Sequence, residues 1–401
     1  MCITKEHGTY DLFGNESIKW QYVEKIITEV CQKYNFKYIR TPILEKTELF
    51  HKSIGKATDI ISKELYNFKD KGNYNISLRP EGTSGIIRSY IENEMYKDNE
   101  ITKLYYLGPM FRYEQLDEGR FREFYQFGVE VINSNDPLMD AQIINLALTI
   151  FKRLNIDVTV YINNVGEYEN KKLYKESLKR YFKNHIDDLC DDCKRRYKQN
   201  PIRILDCKKD KRKDYVLGAP KIEKYLSSNS KEHFKKVLEY LEKLNIKYVI
   251  NPNLVRGLDY YTNTVFEIKT NIDKLGCANT ICGGGRYNSL INYLSDKNIP
   301  SIGFAIGIER LLNVVDSTLI NNDNLVDVLI IGNKKNDKEK LLLSNFCIQN
   351  NLSVELSSNK CKSRYTINII DNANYLMYDN IKNKKYNYNY DKLLKKLSLI
   401  T

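Results

Sequence analysis

Residues 254–265, Leu-Val-Arg-Gly-Leu-Asp-Tyr-Tyr-Thr-Asn-Thr-Val, put a cation (Arg256), a hinge glycine (Gly257), a carboxylate (Asp259) and two phenols (Tyr260, Tyr261) on one short loop. The loop opens into the apolar run Val265-Phe266-Glu267-Ile268. Buried structure rarely needs that combination, whereas a site holding an anion beside a small polar ring does. A second set lies at Gly108-Pro109-Met110-Phe111-Arg112-Tyr113-Glu114, followed by Arg120 and Phe124. An arginine presented from a strand suits two-pronged contact with a phosphate. Phe124 offers a flat face for a purine, and Glu114 can accept from an exocyclic amine. A structural ion pair is the plainer reading of Arg112.

Three further runs add to these. Leu78-Arg79-Pro80-Glu81-Gly82-Thr83-Ser84 precedes an apolar helix. Glu81 could hold an ammonium group there, or Glu81 and Thr83 could simply satisfy the helix N-terminus. Gly283-Gly284-Gly285-Arg286-Tyr287 reads as a tight backbone approach, a weak signal alone. Residues 301–312 read as strand, glycine break, then helix, with Arg310 in the first turn, where anions are favoured. Its plainer reading is a helix turning Glu309 and Arg310 to solvent. Three arginines for phosphates, carboxylates for an amino acid and a stacking aromatic are what attack of a carboxylate on an α-phosphate needs. Such chemistry depends on positioning and electrostatics. The chain has neither a Walker-type glycine–lysine loop nor a Ser-His-Asp pattern.

The elements that must position these groups are partly visible. Val23, Ile26, Ile27, Val30 and Tyr34 recur at helical spacing, with Ser17 as a candidate cap. Residues 38–44 read as a strand broken by Pro42, placed at an edge or interface. Leu104–Glu114 and Phe121–Ile132 read as two antiparallel strands joined by the polar turn 115–120. Alternation puts Phe121, Tyr125, Phe127, Val129 and Val131 on one face, and Arg122, Phe124, Gln126, Gly128 and Glu130 on the other. No lysine occurs between Leu104 and Ile132, which argues against a merely solvated polar face.

From Val165 to Ile250 the chain turns helical, basic and cysteine-bearing, as an insertion would. A boundary near Asp323-Asn324 precedes a strand–helix–strand pattern, a small α/β domain. The domains are therefore 1–164 and 251–322 (two parts of one antiparallel-sheet domain), 165–250 (insertion) and 323–401.

With 401 residues, 42% hydrophobic and 28% charged, the composition is that of a soluble multidomain protein. No apolar run approaches the ~18–20 residues that cross a bilayer, and the N-terminus lacks a signal pattern, so the protein reads as cytosolic. A net charge of +12 points to a polyanionic partner, with a Lys/Asn/Ile/Tyr-rich codon bias as the duller source. The odd number of cysteines, nine, implies reduced thiols. Cys190-x-x-Cys193, with Cys207, has metal-knuckle spacing. A fourth ligand is not obvious, His185 being nearest, so plain thiols are the expectation.

These motifs, in this order, resemble the bacterial histidyl-tRNA synthetase family, a branch of the class II aminoacyl-tRNA synthetases, from about Gly8 to Val314. The strand at Pro42 is similar to motif 1, Phe111–Gln126 to motif 2 and Gly303–Arg310 to motif 3. Residues 254–265 and 284–287 are similar to the two histidine-specific signatures, and the insertion's Cys193-Lys-Arg-Arg and 200–206 also match the family.

The resemblance implies an α+β fold, L-histidine, ATP with magnesium on its β- and γ-phosphates, tRNA(His), and a homodimer joined through motif 1. It implies that Glu81, Thr83 and Gln126 hold the α-amino group, and that Glu130 and Tyr261 hold the imidazole, with Tyr287 in the histidine pocket. Arg112 would bind the α-phosphate, Phe124 and Glu114 the adenine, and Arg310 the γ-phosphate. Arg256 would stabilise charge at the α-phosphate, where a metal usually sits. Arg256, Arg112 and Gln126 form the catalytic set so implied, with no protein-bound metal.

The sequence also departs from the family. Asn35 replaces a common glycine, Glu6-His7-Gly8-Thr9 replaces Pro-Arg-Gly-Thr, and Asn288 replaces aspartate. Gln115-Leu116 stands for the Arg-Pro pair whose arginine helps read the extra 5′ guanosine of the tRNA. The tail from Val326 has only 76 residues, ending in the low-complexity run 382–390, and implies reduced anticodon reading. A synthetase-like regulatory protein or a vestigial RNA-binding module are the alternatives. Retention of Arg112, Arg256 and Arg310 speaks against both.

Overall fold

The alternation read from residues 104–132 becomes the centre of an eight-stranded sheet. The structure is a computed structural model that describes residues 3–55, 58–116, 119–272, 279–319, 326–356, 362–371 and 374–400. Asp117 and Glu118 of the polar turn, and the boundary at Asp323-Asn324, lie outside the described residues. The chain divides into two units, Met1–Ser317 and Thr318–Thr401.

In the first unit, helix α1 (Gly14–Lys33) leads into the short strand β1 (Lys37–Tyr38). Next come β2 (Leu44–Lys46), α2 (Thr47–Ser53), β3 (Asn67–Lys69) and β4 (Asn75–Leu78), whose strands pair as a small antiparallel sheet. Then follow α3 (Thr83–Glu92), β5 (Thr102–Phe111), β6 (Glu123–Ile132), α4 (Pro137–Arg153) and β7 (Val158–Asn164). Helices α5 (Tyr168–Phe182), α6 (Asp191–Gln199), α7 (Asp214–Leu217) and α8 (Ser228–Lys243) precede β8 (Tyr248–Ile250). The unit closes with β9 (Thr262–Thr270), β10 (Thr280–Arg286), α9 (Leu290–Leu294), β11 (Ser301–Gly307) and α10 (Ile308–Val314).

The large sheet runs β1-β5-β6-β11-β10-β9-β7-β8. Its six central strands are antiparallel, and only β1 and β8 join in parallel at the edges. The predicted hairpin is β5–β6, in register from Thr102↔Ile132 to Phe111↔Glu123.

One face of the sheet is covered by α1, α4 and α8. Val23, Ile27 and Val30 of α1, and Ile143, Ile144 and Ile150 of α4, are fully buried against Phe127, Val129 and Val131 of β6. Each such side chain contributes about 1.5–3 kcal/mol by leaving water. The helix begins at Gly14, three residues before the predicted cap. Ser17 lies inside the first turn and donates to the Gly14 carbonyl (2.7 Å). Asn35 ends that helix at φ 60°, a conformation asparagine tolerates better than most residues, so the common glycine can be replaced there. Helix α8 packs with this core through Val237 and Leu241, while the helices before it share a separate core with α3, Tyr260, Tyr261 and Tyr287. Among the described residues no helix is long and apolar enough to cross a membrane.

Arg286 sets α4 on the sheet. Its side chain is fully buried and pairs with fully buried Asp140 (2.5 Å), while donating to the Ser134 (2.7 Å) and Asp136 (2.9 Å) carbonyls. Burial works against the Asp140 charge, but Arg286 and His233 outweigh it and hold the carboxyl below its usual range. Asp140→Ala strands a buried guanidinium, and the expected loss is ~3–5 kcal/mol of unfolding free energy in urea. A loss below ~1 kcal/mol would mean that the carbonyls alone satisfy Arg286.

The described residues of the second unit form β12 (Val326–Ile331), α11 (Asp337–Gln349), β13 (Val354–Leu356), β14 (Ser363–Ile369), β15 (Tyr375–Asp379), β16 (Lys384–Tyr388) and α12 (Tyr390–Leu397). The strands pair as one sheet in the order β13-β12-β14-β15-β16. Val328, Ile330, Leu343, Ile367, Met377 and Leu393 form its own core. The low-complexity run therefore makes an edge strand. Tyr386 and Tyr388 are half-buried while Lys384, Lys385 and Asn387 are exposed.

Candidate active site

The polar face of β6 meets the loop before α3. Glu130, 1% exposed, accepts from the Thr83 hydroxyl (2.7 Å) with one oxygen and from the Tyr287 phenol with the other. Gly303 on the neighbouring strand makes room for it, since a Cβ there would lie 1.9 Å from the Glu130 carboxylate. Burial pushes the Glu130 carboxyl up to about 8, against the lowering effect of its two hydroxyl partners.

Glu81 behaves as the plainer reading expected. Its oxygens accept from the Thr83 and Ser84 backbone N–H groups (2.8 Å each) and from the Ser84 hydroxyl, capping α3. Thr83 does not cap. It is the first helical residue, with its hydroxyl on Glu130.

Gln126 accepts from the Gly82 N–H (3.1 Å) and the Tyr106 hydroxyl (2.9 Å), so the same loop is held at a second point. Arg112 donates through Nε to the Pro80 carbonyl (2.8 Å) and lies over the Phe124 ring at 5.2 Å. Glu114 pairs with Arg120 (3.0 Å). Arg310 is the third residue of α10, and its side chain packs against Gly119 of the β5–β6 turn. Glu309 does not face solvent. It is 5% exposed and accepts from the Tyr10 hydroxyl and the Tyr125 N–H (2.8 Å each). Burial raises its carboxyl to about 7.

The Arg256 loop crosses the far side of the same face. Arg256 donates to Glu267 (2.5 Å) and lies 6.0 Å from the Tyr261 ring centre. Burial works against the charge on Arg256, but Glu267, Tyr261 and Asp206 raise its affinity for the proton overall. Its guanidinium rests on Gly283 of β10, where a Cβ would lie 2.0 Å from Nη2. The glycine triplet is thus strand, and its use is close approach. The Tyr260 and Tyr261 rings pack at a tilt of 48° with centres 4.9 Å apart, and Tyr260 meets Tyr287 edge-on at 5.8 Å. Burial raises the Tyr261 phenol to about 12.

Insertion residues fix this loop. Lys171 donates to the Tyr261 (2.7 Å) and Asp259 (3.2 Å) carbonyls, Asn200 to the Asp259 carboxylate (2.8 Å) and Arg203 to the Gly257 carbonyl (2.5 Å). Burial, with Lys175 nearby, draws the Lys171 ammonium down to about 8.

Every candidate site residue therefore lies on or beside one sheet face. Glu81, Thr83, Gln126, Glu130 and Tyr287 form one hydrogen-bonded group. Arg112 and Phe124 form a cation–π pair beside it. Arg256 and Tyr261 stand across from them, and Arg310 and Glu114 lie at the hairpin turn. Sequence reasoning missed Glu267, Tyr106, Lys171, Asn200 and Arg203. Glu267 had a signal, as an acid interrupting an apolar strand. Asn200 and Arg203 lie in the 200–206 run that matches the family, but their partners, like those of Tyr106 and Lys171, are distant in the chain. Asn288, the substitute for aspartate, still accepts from the Ser301 N–H (3.2 Å) through its side-chain oxygen.

An antiparallel floor flanked by helices, with its arginines presented by a hairpin and a strand–helix turn, is the arrangement that the resemblance to class II aminoacyl-tRNA synthetases implies. Residues 8–179 and 202–311 match the family model described as histidyl-tRNA synthetase. The histidine--tRNA ligase of Halothermothrix orenii is 50% identical over 335 residues, covering 82% of this chain and 79% of that protein. The Bacillus licheniformis histidine--tRNA ligase is 46% identical over 342 residues, covering 84% and 81%. The apo S. aureus histidyl-tRNA synthetase structure is similar over 99% of this chain and 100% of its own, with TM-score 0.81 and 34% identity. The chain belongs to the histidyl-tRNA synthetase family.

Proposed function

We infer that this chain activates L-histidine with ATP to histidyl-adenylate and pyrophosphate, then transfers histidine to the 3′ end of tRNA(His). The observation carrying this reading is the buried Glu130 carboxylate, held by Thr83 and Tyr287 on the face that Arg112 and Arg256 border. A buried acid that can accept from an imidazole N–H selects histidine, and two arginines suit the α-phosphate.

In this reading Glu81, Thr83 and Gln126 receive the α-amino group. Glu81 retains acceptor capacity after capping α3, because a carboxylate offers about four lone-pair sites. Glu130 and Tyr261 take the two imidazole nitrogens, and Tyr287 orients Glu130. Arg112 binds the α-phosphate, while Phe124 and Glu114 receive adenine. Arg310 binds the γ-phosphate of the magnesium–ATP substrate. Arg256 leaves Glu267 to meet charge developing at the α-phosphate.

A cytoplasmic homodimer joined near β1 and β2 is part of the proposal. Tyr38, Ile43 and Leu44 are exposed there. The Lys384–Tyr388 strand of the second unit is proposed to contact RNA through phosphates and stacking.

The test is ATP–pyrophosphate exchange with each of the twenty amino acids. Exchange with histidine alone supports the reading. Histidine binding without exchange would replace it with a regulatory role.

One prediction arises from the packing of Arg256. Gly283→Ala puts a methyl where the guanidinium lies, and the flexible arginine yields before the strand does. Exchange is expected to fall ~100-fold, as misplacement by about 1 Å does elsewhere, with the melting temperature nearly unchanged. Wild-type exchange in this variant would show that Arg256 does not work from this position.

A further inference from the structure

The cysteines of the insertion gain in the structure what the sequence did not reveal. Cys190, Cys193, Cys207 and Asp210 present ligand atoms that all lie within 4.8 Å of one another. The fourth member is Asp210. His185, the nearest candidate by sequence, instead stacks on Tyr215 (5.4 Å). The two halves share one spacing, Cys190-x-x-Cys193 and Cys207-x-x-Asp210, with thirteen residues between them. That is how two knuckles grip one ion.

We propose that these four side chains bind a structural zinc ion. Cys190 and Cys207 sulfurs are 3.6 Å apart, close to the ~3.8 Å edge of a tetrahedron with Zn–S of about 2.3 Å and far from the ~2.05 Å of a disulfide. Cys193, Cys207 and Asp210 are buried, which keeps solvent from the ligands. The Cys190 N–H donates to the Asp210 carboxylate (3.0 Å), which ties the first knuckle to the second and orients that ligand.

Asp210 gives the second argument. It is 4% exposed, and among the described residues no lysine or arginine comes within 4.0 Å of its carboxylate. Its carboxylate lies within 4.8 Å of the three sulfurs. A buried carboxylate beside three sulfurs is a ready fourth ligand once a cation replaces the thiol protons. Zinc binding releases three protons and leaves the cluster at a formal charge of −2. The basic run 208–213 lies alongside.

The metal would anchor α6 at its N-terminus. Three residues of that helix and its exit bind other parts of the first unit. Arg195 and Arg196 hold Asp59 (2.8 and 3.0 Å), and Asn200 holds Asp259 of the Arg256 loop.

The full-length protein, purified without chelator, is expected to carry about one zinc per chain. Cobalt exchanged for zinc should give the visible ligand-field and thiolate charge-transfer bands of a tetrahedral sulfur site. Cys207→Ser should lose the metal to a competing chelator at least ~10-fold more readily. Asp210→Asn, nearly isosteric, keeps the test valid if the serine variant fails to fold, and should shift the cobalt bands. A chain free of zinc that yields no cobalt spectrum on metal addition overturns the proposal. So does a mass lower by two hydrogens that maps to a Cys190–Cys207 disulfide, or iron found in place of zinc.

Discussion

Arg256→Ala should lower histidine-dependent ATP–pyrophosphate exchange by ~10²–10³-fold, the usual cost of removing one preorganised stabiliser of transition-state charge. The guanidinium is held for this task. Glu267 fixes it at 2.5 Å, Tyr261 lies beneath it, and glycine at position 283 gives it space. The low-dielectric setting makes its charge worth more than it would be in water. Because the interaction strengthens as charge develops, the loss should fall mainly on kcat, with histidine KM little changed. Arg256→Lys should not restore the rate, since a lysine cannot reproduce the fork. The loss belongs to chemistry only if the variant binds histidine normally by calorimetry. A variant within threefold of wild type would remove Arg256 from the catalytic set.

Glu130→Gln has the second large effect, and it falls on histidine. A hydrogen bond to a charged acceptor contributes about 1.5–3 kcal/mol, so histidine KM should rise roughly ten- to hundredfold. Glutamine keeps an acceptor for Thr83 or Tyr287, which limits damage to the fold. The pH dependence gives a sharper test. In the free protein burial raises the Glu130 carboxyl to about 8. An imidazole N–H favours the ionised form. Histidine affinity, corrected for titration of free histidine, should therefore climb about tenfold per unit below pH 8 and level off above it. The Gln variant should lose this slope. A slope unchanged in the variant would assign the proton elsewhere. Stability runs the other way. A raised folded-state value gives a contribution fully present below about pH 4, the unfolded value, and lost as pH rises through about 8.

Much of this was legible in the chain. The 104–132 hairpin followed from side-chain alternation, which has only two faces to choose from. The grouping of Gln126 and Glu130 on one face followed from the same rule. The glycine run at 283–285 marked close approach but did not say to what, and Gly303 reads only as part of a strand before a glycine break. Tertiary structure answered that. Gly283 makes room for Arg256, and Gly303 for Glu130, across strands that are neighbours in the sheet but far apart in the chain.

The sequence by itself determined which residues can carry charge, which strands alternate and which family the motifs resemble, because those are properties of residue type and spacing. Only the tertiary structure decided the partners. Thr83 turned from a possible cap into a ligand of Glu130, and Glu81 became the cap. Glu309 proved a buried acceptor. Asp210 joined three cysteines that had looked one ligand short. The physical reason is common to all four. A polar group removed from water must find its complement wherever the fold brings one, and that complement need not be a neighbour in sequence.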